Sequence, residues 1–538
     1  MMALVKQRQV WHFAASHEGR PVGETAFCCG AGVAGIYDVE VLEEFRRRSI
    51  GTAGRAGRHG NGFGSLCAAR LSRSVQIEFL EMRQDAAALR KEEQTMNTTQ
   101  ISITFALVAA TLSASGVVHA AQKPEFAPRA DEQQLPRAMH SQMKQRPAIT
   151  VGLRDADIVG ADNRALQAAV DYIAGLGGGT VEIGAGEFVM HDSLHLRSFV
   201  TVRGVEGKTI LRKAKAAASA LALDGDYGEE QITVINPDGF KVGYGVAIWD
   251  SQSGGFHTTV ARITGQNGNT VSLDTPLNAD CMVANKAQAA TIFPIVSGCE
   301  IEGARVENVT LDGNKAENIY LNGCRGGGIF LYRGFGTVIE HCVVRNFYGD
   351  GISFQQSNDV LVQGCLSEDN AGLGLHPGSG SQRPVVRECI ARRNGEDGLY
   401  LCWRVRHGLF EKNILENNGR YGISIGHKDS DNLLQENQVR ANVQDGVYFR
   451  NETEGMAGHR NRLVNNLIEN NGAKTDAAGI RVRGETSDLV FRNNIIRDTR
   501  PPEARKQAVG IRIEEPAGKV ILETNEIQAQ TPVEDRRK

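Results

Sequence analysis

The sequence predicts an all-β solenoid in which short parallel strands stack in repeating coils. From residue 308 onward, short segments of similar pattern recur, most often about 24 residues apart. Each repeat also contains a short apolar strand that begins with glycine. Glycine accounts for 61 of the 538 residues, well above the usual share of roughly 7%, as expected of a fold with many tight turns.

The overall composition excludes two broad classes of protein. Hydrophobic residues make up 41% of the chain and charged residues 23%, which allows a large core and excludes bulk disorder. The formal net charge is −3, which argues against nucleic acid as a partner bound by phosphate neutralisation over the whole surface.

Residues 1–95 differ from the rest of the chain. The stretch 12–53 resembles the strand-rich middle of GNAT-type N-acetyltransferases, in which a loop of the form Arg/Gln-x-x-Gly-x-Gly/Ala holds the acetyl-CoA pyrophosphate through backbone N–H groups. The matching residues here are 46–51, with Ser49 in place of a glycine. Because the pattern does not continue, we interpret residues 1–95 as a partial remnant or a mis-assigned N-terminal extension rather than a working acetyltransferase.

Residues 96–121 have the features of a secretory signal peptide that starts at Met96. The run 101–118 is uncharged and mostly apolar, and small residues suited to cleavage follow near Ala120 or Ala121. The alternative is a single membrane anchor, which the Ser and Thr content of the run disfavours. We therefore expect an exported protein, periplasmic or extracellular, without a stable membrane span in the mature chain.

The segments before the main coil are predicted to form a cap and an insertion. Residues 122–215 contain an amphipathic helix, a glycine turn and strands, and the helix would cover the open end of the core. Residues 216–295 alternate apolar and polar side chains between turn signals, which predicts a small antiparallel β insertion. Trp249, Phe256 and His257 there are either substrate-facing or, as we favour, part of a hydrophobic cluster.

Residues 296–530 form the predicted main coil, followed by a polar tail at 531–538. One column of aligned positions consists of Asn308, Cys342, Cys365, Cys389, Asn413, Asn437, Asn466, Asn494 and Asn525. Stacking would place these side chains inside the coil, where asparagine amides can bond to the backbone of neighbouring coils and cysteine fills the same space. The seven cysteines after residue 121 are an odd number, so we expect packing roles rather than a complete set of disulfides.

From residue 162 to the end, the cap helix and the coils together resemble the pectate-lyase-like superfamily of right-handed parallel β-helices. The resemblance implies a right-handed parallel β-helix with an N-terminal capping helix and a β insertion. It implies no single activity, because the superfamily contains lyases, hydrolases, epimerases, transferases and binding proteins.

The predicted binding face consists of the outward middle residue of each glycine-led strand and the turn after it; in the strand 372–375, for example, Gly374 is the predicted middle residue and His376 lies in the turn. This face is rich in Arg, His, Tyr and Trp, which suggests an anionic sugar polymer, since aromatic faces hold sugar rings and Arg holds a carboxylate or sulfate. The predicted substrate-binding residues are Trp403, Lys428, His376, Gln355, Arg481 and Arg483.

A lyase acting on a uronate must remove the proton at C5, which requires a base and a cation beside the carboxylate. Arg404, His427 and Arg450 lie on successive coils, and Tyr400 and Tyr448 flank them, so these five residues are the candidates for that chemistry.

Asp429 and Asp431, in the sequence HKDSD, could hold a Ca²⁺ ion that bridges to substrate carboxylates. Two acids are a weak signal, and a polar turn is the favoured interpretation.

A glycoside hydrolase requires two carboxylates instead. Asp350 and Asp397 each precede a leading glycine two coils apart, roughly 9.6 Å by stacking, as in an inverting pair. Parts of the sequence resemble the polygalacturonase family, but its paired aspartates and its Gly-His-Gly histidine are missing, and Glu514 replaces its lysine. We therefore rank elimination first, hydrolysis second and glycan binding without chemistry third, and the sequence does not indicate an oligomeric state.

Overall fold

The computed structural model describes residues 9–17, 20–30, 33–41, 76–78, 146–474 and 477–537. The predicted signal peptide at 96–121 and the acetyltransferase-like loop at 46–51 lie outside these ranges. The chain divides into two units, Met1–Lys123 and Pro124–Lys538. In the first unit an antiparallel sheet contains four strands, Gln9–His17, Arg20–Gly30, Val33–Val41 and Gln76–Glu78.

The helix α1 (Asn163–Gly175) caps the coil of the second unit. It begins after Asp162, whose carboxylate accepts a hydrogen bond from the backbone N–H of Arg164 at 2.9 Å. Its apolar face is fully buried and consists of Leu166, Ala169, Val170 and Ile173. These four residues belong to the same hydrophobic cluster as the coil interior, so α1 closes the end of the core.

Three parallel sheets form the walls of the coil. The first wall contains Ala148–Gly152, Ile158–Val159, Gly179–Ile183, Val200–Arg203, Arg305–Glu307, Val338–Glu340, Leu361–Gln363, Val385–Arg387, Leu409–Glu411, Leu433–Gln435, Arg462–Val464, Leu489–Arg492 and Val520–Glu523. The second wall contains Gly186–Met190, Thr209–Lys213, Thr310–Asp312, Val343–Arg345, Leu366–Glu368, Ile390–Arg392, Ile414–Glu416, Gln438–Arg440, Leu467–Glu469, Ile495–Arg497 and Glu526–Gln528. The third wall contains Leu194–His195, Val296–Cys299, Ile329–Tyr332, Ile352–Gln355, Leu375–Gly378, Leu399–Tyr400, Ile423–Ile425, Val447–Phe449, Ala478–Val482, Val509–Ile513 and Thr531–Asp535.

Each strand pairs with its counterpart one coil away, so equivalent side chains lie over one another. In the first wall, Val362 pairs with Ile339 on one side and Val386 on the other, and all three are fully buried. The fold is therefore the predicted all-β parallel coil. The predicted polar tail at 531–538 is not a separate tail. Its residues Thr531–Asp535 form the last strand of the third wall and pair with Val509–Ile513.

A separate antiparallel sheet of six strands lies between the early coils in the sequence. Its strands are Ala218–Ala220, Gln231–Thr233, Gly245–Trp249, Thr259–Asn267, Thr270–Leu273 and Gln288–Ala290. The sheet has its own small hydrophobic cluster, and Trp249 packs against the main core. Short 3₁₀ helices cover Gly255–His257, Val283–Asn285, Lys315–Glu317 and Pro502–Ala504.

The predicted asparagine column is confirmed from Asn413 onward. The backbone N–H and the side-chain amide of Asn413 both donate to Oδ1 of Asn437 at 3.0 Å, and the same pattern continues through Asn466, Asn494 and Asn525. Cys342, Cys365 and Cys389 occupy the buried positions before it, and the seven cysteines from Cys281 to Cys402 are all free.

The predicted first member of this column, Asn308, is wrong by one residue. Thr310 pairs with Val343, so Val309 lies over Cys342, whereas Asn308 is in the turn with a left-handed backbone (φ 57°). The sequence analysis also missed a second ladder of buried amides, which consists of Asn370, Asn394, Asn418, Asn442, Asn471 and Gln507. In the described part of the chain, no helix is long and apolar enough to cross a membrane.

Candidate functional site

The outer face of the third wall carries the candidate site. Ile352 pairs with Leu375, and Leu375 pairs with Leu399. This register puts His376 in the middle of its strand, whereas the sequence analysis expected Gly374 there and His376 in the turn. The middle column, as we call these residues, consists of His195, Ser297, Phe330, Ser353, His376, Tyr400, Ser424, Tyr448, Arg481 and Arg512.

His376 and Asp350 form a buried pair at the centre of this column. His376 Nδ1 lies 2.7 Å from Asp350 Oδ2, and the two side chains are 3% and 2% exposed. The other oxygen of Asp350 accepts a hydrogen bond from Leu373 N at 2.9 Å. An ionised carboxylate can only accept, so Asp350 holds the imidazole proton on Nδ1 and leaves Nε2 as an acceptor. Nε2 is buried and has no hydrogen-bond partner among the described residues.

Tyr400 follows His376 in the middle column. The two rings meet edge to face with centroids 5.5 Å apart. The guanidinium of Arg450 lies over the Tyr400 ring, 4.4 Å from its centroid. Burial raises the pKa of Tyr400, and the positive charge of Arg450 opposes that rise. The phenol is therefore protonated at neutral pH and can donate a proton beside the imidazole.

Arg450 reaches back over two coils and is held by three acceptors. It donates to Ser424 Oγ at 2.9 Å, to Leu401 O at 2.6 Å and to Asp429 Oδ2 at 3.0 Å. Gly426 leaves the space for it, because a Cβ there would lie 2.6 Å from Arg450 Nε. Burial raises the pKa of Asp429 to about 7, and Arg450 acts in the opposite direction.

These contacts do not support a calcium ion at Asp429 and Asp431. Asp429 is fully buried against Arg450, and Asp431 pairs with Arg460 at 2.6 Å. Each carboxylate therefore already has its own cation. Within the described ranges, no group of three or more His, Cys, Asp or Glu residues comes together in a way that could hold a metal.

Asp397 is a second buried carboxyl beside Tyr400. Its Oδ1 accepts a hydrogen bond from Tyr421 N at 3.1 Å and lies 3.7 Å from Arg420 Nε. Its Oδ2 is buried without a partner in the described chain. Burial raises the pKa of Asp397 to about 6, and Arg420 opposes the rise. A carboxyl of this kind can carry a proton close to neutral pH.

The two carboxyls predicted for hydrolysis occupy equivalent positions two coils apart, with Leu373 at the same position between them. Backbone bonds show the register, since Gly351 N donates to Leu373 O and Gly374 N to Asp397 O. Both oxygens of Asp350 are engaged, one by His376 and one by a backbone N–H. Asp350 is therefore not free to activate a water molecule.

The turns after the strands bring together a separate group of predicted residues. Trp403 and His427 stack with ring centroids 5.2 Å apart, and His427 Nε2 lies 2.8 Å from a carboxylate oxygen of Glu452. Burial lowers the pKa of His427, and the nearby charge of Arg450 lowers it further. Arg404 is exposed on the same turn, and Lys428 is half-buried. This group lies at the edge of the wall, beyond the ends of the strands.

Farther along the column, aromatic rings and paired arginines form a third group. Tyr448 stacks on Tyr421 with centroids 4.2 Å apart. Arg483 donates to the Tyr448 hydroxyl at 3.3 Å and pairs with Glu514, and Arg481 lies 3.2 Å from Asp445. These arginines are therefore only partly available to a ligand.

Gln355, predicted to bind substrate, is fully buried. Its amide donates to Ser353 Oγ at 2.9 Å, and that hydroxyl donates to Gly323 O at 2.6 Å. The loop around Gly323 covers this part of the column so closely that a Cβ on Gly323 would lie 1.7 Å from Asp350 Oδ2. Gln355 therefore holds the covering loop in place through Ser353.

The sequence analysis missed Arg420, Tyr421 and the covering loop. Arg420 and Tyr421 are the two residues before the leading glycine Gly422, and the aspartates also precede leading glycines. This position in the repeat was the signal that could have identified them. The loop carried no pattern, because its place depends on the three-dimensional packing.

Comparison with known proteins gives the following similarities. The family model described as right handed beta helix region matches residues 244–452, 327–496 and 402–531, which together span more than half of the chain. Two mannuronan C5-epimerases of Azotobacter vinelandii match short stretches. AlgE2 is 26% identical over 99 residues, 18% of this chain and 10% of AlgE2, and AlgE3 is 30% identical over 96 residues, 17% of this chain and 5% of AlgE3. The matched stretches are thus a tenth or less of these relatives' lengths.

Among solved structures, the A-module of the A. vinelandii mannuronan C-5 epimerase AlgE4 has a TM-score of 0.46 and 17% identity, covering 72% of this chain and 100% of that chain. A polygalacturonase from Erwinia carotovora has a TM-score of 0.46 and 12% identity, covering 74% and 98%. The acetyltransferase resemblance of residues 12–53 finds no support in these comparisons. The chain belongs to the family of proteins with a right-handed β-helix region.

Proposed function

We propose that the protein is an exported enzyme that acts on an acidic polysaccharide, with elimination at a uronate unit as the reaction. The observation that carries the proposal is the buried Nε2 of His376, which has no hydrogen-bond partner among the described residues, is held as a proton acceptor by Asp350 and lies beside the Tyr400 ring. The curated relatives with local matches are named as epimerases of mannuronan, a uronate polymer. Both epimerisation at C5 and elimination begin by removing the same proton.

In the proposed reaction His376 Nε2 takes the proton from C5. Asp350 stabilises the imidazolium that forms, since it already bonds to Nδ1. Tyr400 gives its proton to the departing glycosidic oxygen at C4, and a double bond forms between C4 and C5. The proton balance closes when the imidazolium returns its proton to the phenolate, directly or through water.

The developing charge on the substrate carboxylate also needs stabilisation. Arg450 is not available for this purpose, because three protein acceptors hold it. Asp397 can serve when protonated, since its Oδ2, which has no partner in the described part of the chain, would donate a hydrogen bond to the carboxylate, and Arg420 beside it adds positive charge. Substrate entry requires the covering loop at Gly323 to move away from Asp350 and Ser353.

The test is a screen of polymannuronate, polyguluronate and polygalacturonate with the full-length protein. Elimination gives a conjugated unsaturated uronate that absorbs ultraviolet light, whereas hydrolysis gives new reducing ends without that absorbance. His376→Asn should abolish the absorbance, and His341→Asn is the matched control, because His341 is exposed and has a φ of 52° that asparagine tolerates. Reducing ends without absorbance, or full activity of His376→Asn, would refute the mechanism.

Incorporation of deuterium at C5 from heavy water, without chain cleavage, would show that the reaction is epimerisation at the same residues and not elimination. N-terminal sequencing of the secreted protein tests the predicted cleavage near Ala120.

A further inference from the structure

A serine, a histidine and an aspartate form a hydrogen-bonded chain at the capped end of the third wall. Ser297 Oγ lies 3.1 Å from His195 Nδ1. His195 Nε2 lies 2.9 Å from Asp192 Oδ2. Ser297 and His195 are directly paired in neighbouring strands, so the wall itself holds them side by side. The function proposed above uses none of these three residues.

The charge on Asp192 sets the direction of these hydrogen bonds. Arg262 Nε, which can only donate, donates to the same carboxylate oxygen at 2.6 Å, so Oδ2 is an acceptor. Because this oxygen accepts, the neutral imidazole of His195 carries its proton on Nε2 and presents Nδ1 as an acceptor. Ser297 is then the donor in its bond to His195. A hydroxyl that donates to an imidazole oriented by a third group is the arrangement of an activated nucleophile.

The three groups are held in place, and two of them, Ser297 and His195, remain accessible. Gln167 of α1 accepts a hydrogen bond from His195 N at 2.8 Å and donates to His195 O at 3.1 Å, so the cap helix holds the histidine backbone from both sides. Asp192 is 6% exposed, whereas the His195 side chain is 28% exposed and Ser297 is half-buried. The orienting group is therefore enclosed, and the nucleophile and the base can be reached by a ligand.

We propose that Ser297 is the nucleophile of a second, ester-hydrolysing site, with His195 as general base and Asp192 as the residue that positions it. Ser297 Oγ attacks the carbonyl carbon of an ester, and its proton passes to His195 Nδ1. The bond from the carbonyl carbon to the alcohol oxygen breaks, and the alcohol leaves with that proton. Water then attacks the acyl-serine in the same way and releases the carboxylic acid, so the reaction needs no other reactant.

The position of Ser297 indicates the class of ester, and this step rests on the proposed function. Ser297 and His376 belong to the same middle column with two residues between them, which is three strand spacings or roughly 14 Å. A polysaccharide lying along the column would place a nearby sugar at Ser297. The substrate class is therefore an O-acyl ester, such as an acetyl group, on a sugar hydroxyl.

The first test labels the full-length protein with a fluorophosphonate, in which serine displaces fluoride from phosphorus, and maps the modified peptide by mass spectrometry. We expect the label on Ser297. We also expect hydrolysis of p-nitrophenyl acetate to fall at least about 100-fold in Ser297→Ala and in His195→Ala. Ser272→Ala is the matched control, because Ser272 is another half-buried strand serine and does not contact His195. A label elsewhere on the wild-type protein, or full hydrolysis by Ser297→Ala, would overturn the proposal.

The second test follows acetate release and ultraviolet absorbance from one O-acetylated polyuronate. Ser297→Ala should lose acetate release and keep the absorbance. Absorbance without acetate release by the wild-type protein overturns the assigned ester class. Acetate release without absorbance refutes the proposed elimination and leaves the ester site standing.

Discussion

The buried carboxyl of Asp397 should make the protein less stable as the pH rises. Burial raises the pKa of Asp397 from 3.8 to about 6. A group with a higher pKa in the folded state binds its proton more tightly there. The free energy of unfolding therefore decreases as the pH rises from about 4 to about 6, and it changes little above pH 6. A shift of about two pKa units corresponds to about 3 kcal/mol of lost stability at pH 8.

Asp397→Asn should remove this loss. The asparagine oxygen can still accept the hydrogen bond from Tyr421 N, and no charge is buried. Urea unfolding of wild type and variant at pH 4, 5, 6, 7 and 8 measures the difference. We expect the variant to gain up to about 3 kcal/mol relative to wild type between pH 4 and pH 8.

Asp359→Asn is the contrasting control. Asp359 is exposed, and its hydrogen bonds with Arg383 hold its pKa below the ordinary value. The ionised Asp359 therefore stabilises the fold at neutral pH, and this stabilisation is lost on acidification. Compared with wild type, the free energy of unfolding of Asp359→Asn should be lower at high pH than at low pH. A difference between wild type and Asp397→Asn that is the same at pH 4 and pH 8 would contradict the reasoning.

Three further substitutions test the site and the coil. Tyr400→Phe should reduce kcat about 10² to 10⁴-fold with little change in KM, because it removes the proton donor and keeps the ring; an unchanged kcat in steady-state assays would exclude the phenol. Gly426→Ala should impair turnover, since a Cβ there would lie 2.6 Å from Arg450 Nε and displace the guanidinium from the Tyr400 ring, which a structure of the variant would reveal. Asn413→Ala should destabilise the coil by about 3 kcal/mol in urea unfolding, because three buried hydrogen bonds, to Cys389 N, Val386 O and Asn437, are lost; a loss below about 1 kcal/mol would show that the ladder contributes little.

The repeat near 24 residues was enough to predict the coil, because stacking repeats the same interior environment at each step. The register of one strand was harder. In the sequence AGLGLHP, both Gly372 and Gly374 can lead the strand, and only the pairing of Ile352 with Leu375 selects Gly374. That choice moves His376 from a turn to the centre of the site.

The role of Arg450 could not be predicted from one strand. Its side chain is buried because Gly426, one coil earlier, provides space, and because Asp429, in the following turn of that coil, provides charge. Likewise, Asp429 and Asp431 are two residues apart in the chain, yet they bond to Arg450 and to Arg460. Such pairings depend on the size of the side chains on neighbouring coils, and no local sequence motif contains that information.

The spacing of buried carboxylates explains why proton chemistry centres on His376. Asp350, Asp397 and Asp445 occupy equivalent positions on alternate coils, roughly 9.6 Å apart, because carboxylates on adjacent coils would repel each other at about half that distance. Each has a basic side chain from the next coil, and these three residues are His376, Arg420 and Arg481. Arginine keeps its proton at every physiological pH, so it can neutralise a carboxylate and cannot transfer a proton. Of the three pairs, the one with histidine is therefore the one able to take a proton from a substrate, and it is also the one beside an aromatic hydroxyl, Tyr400.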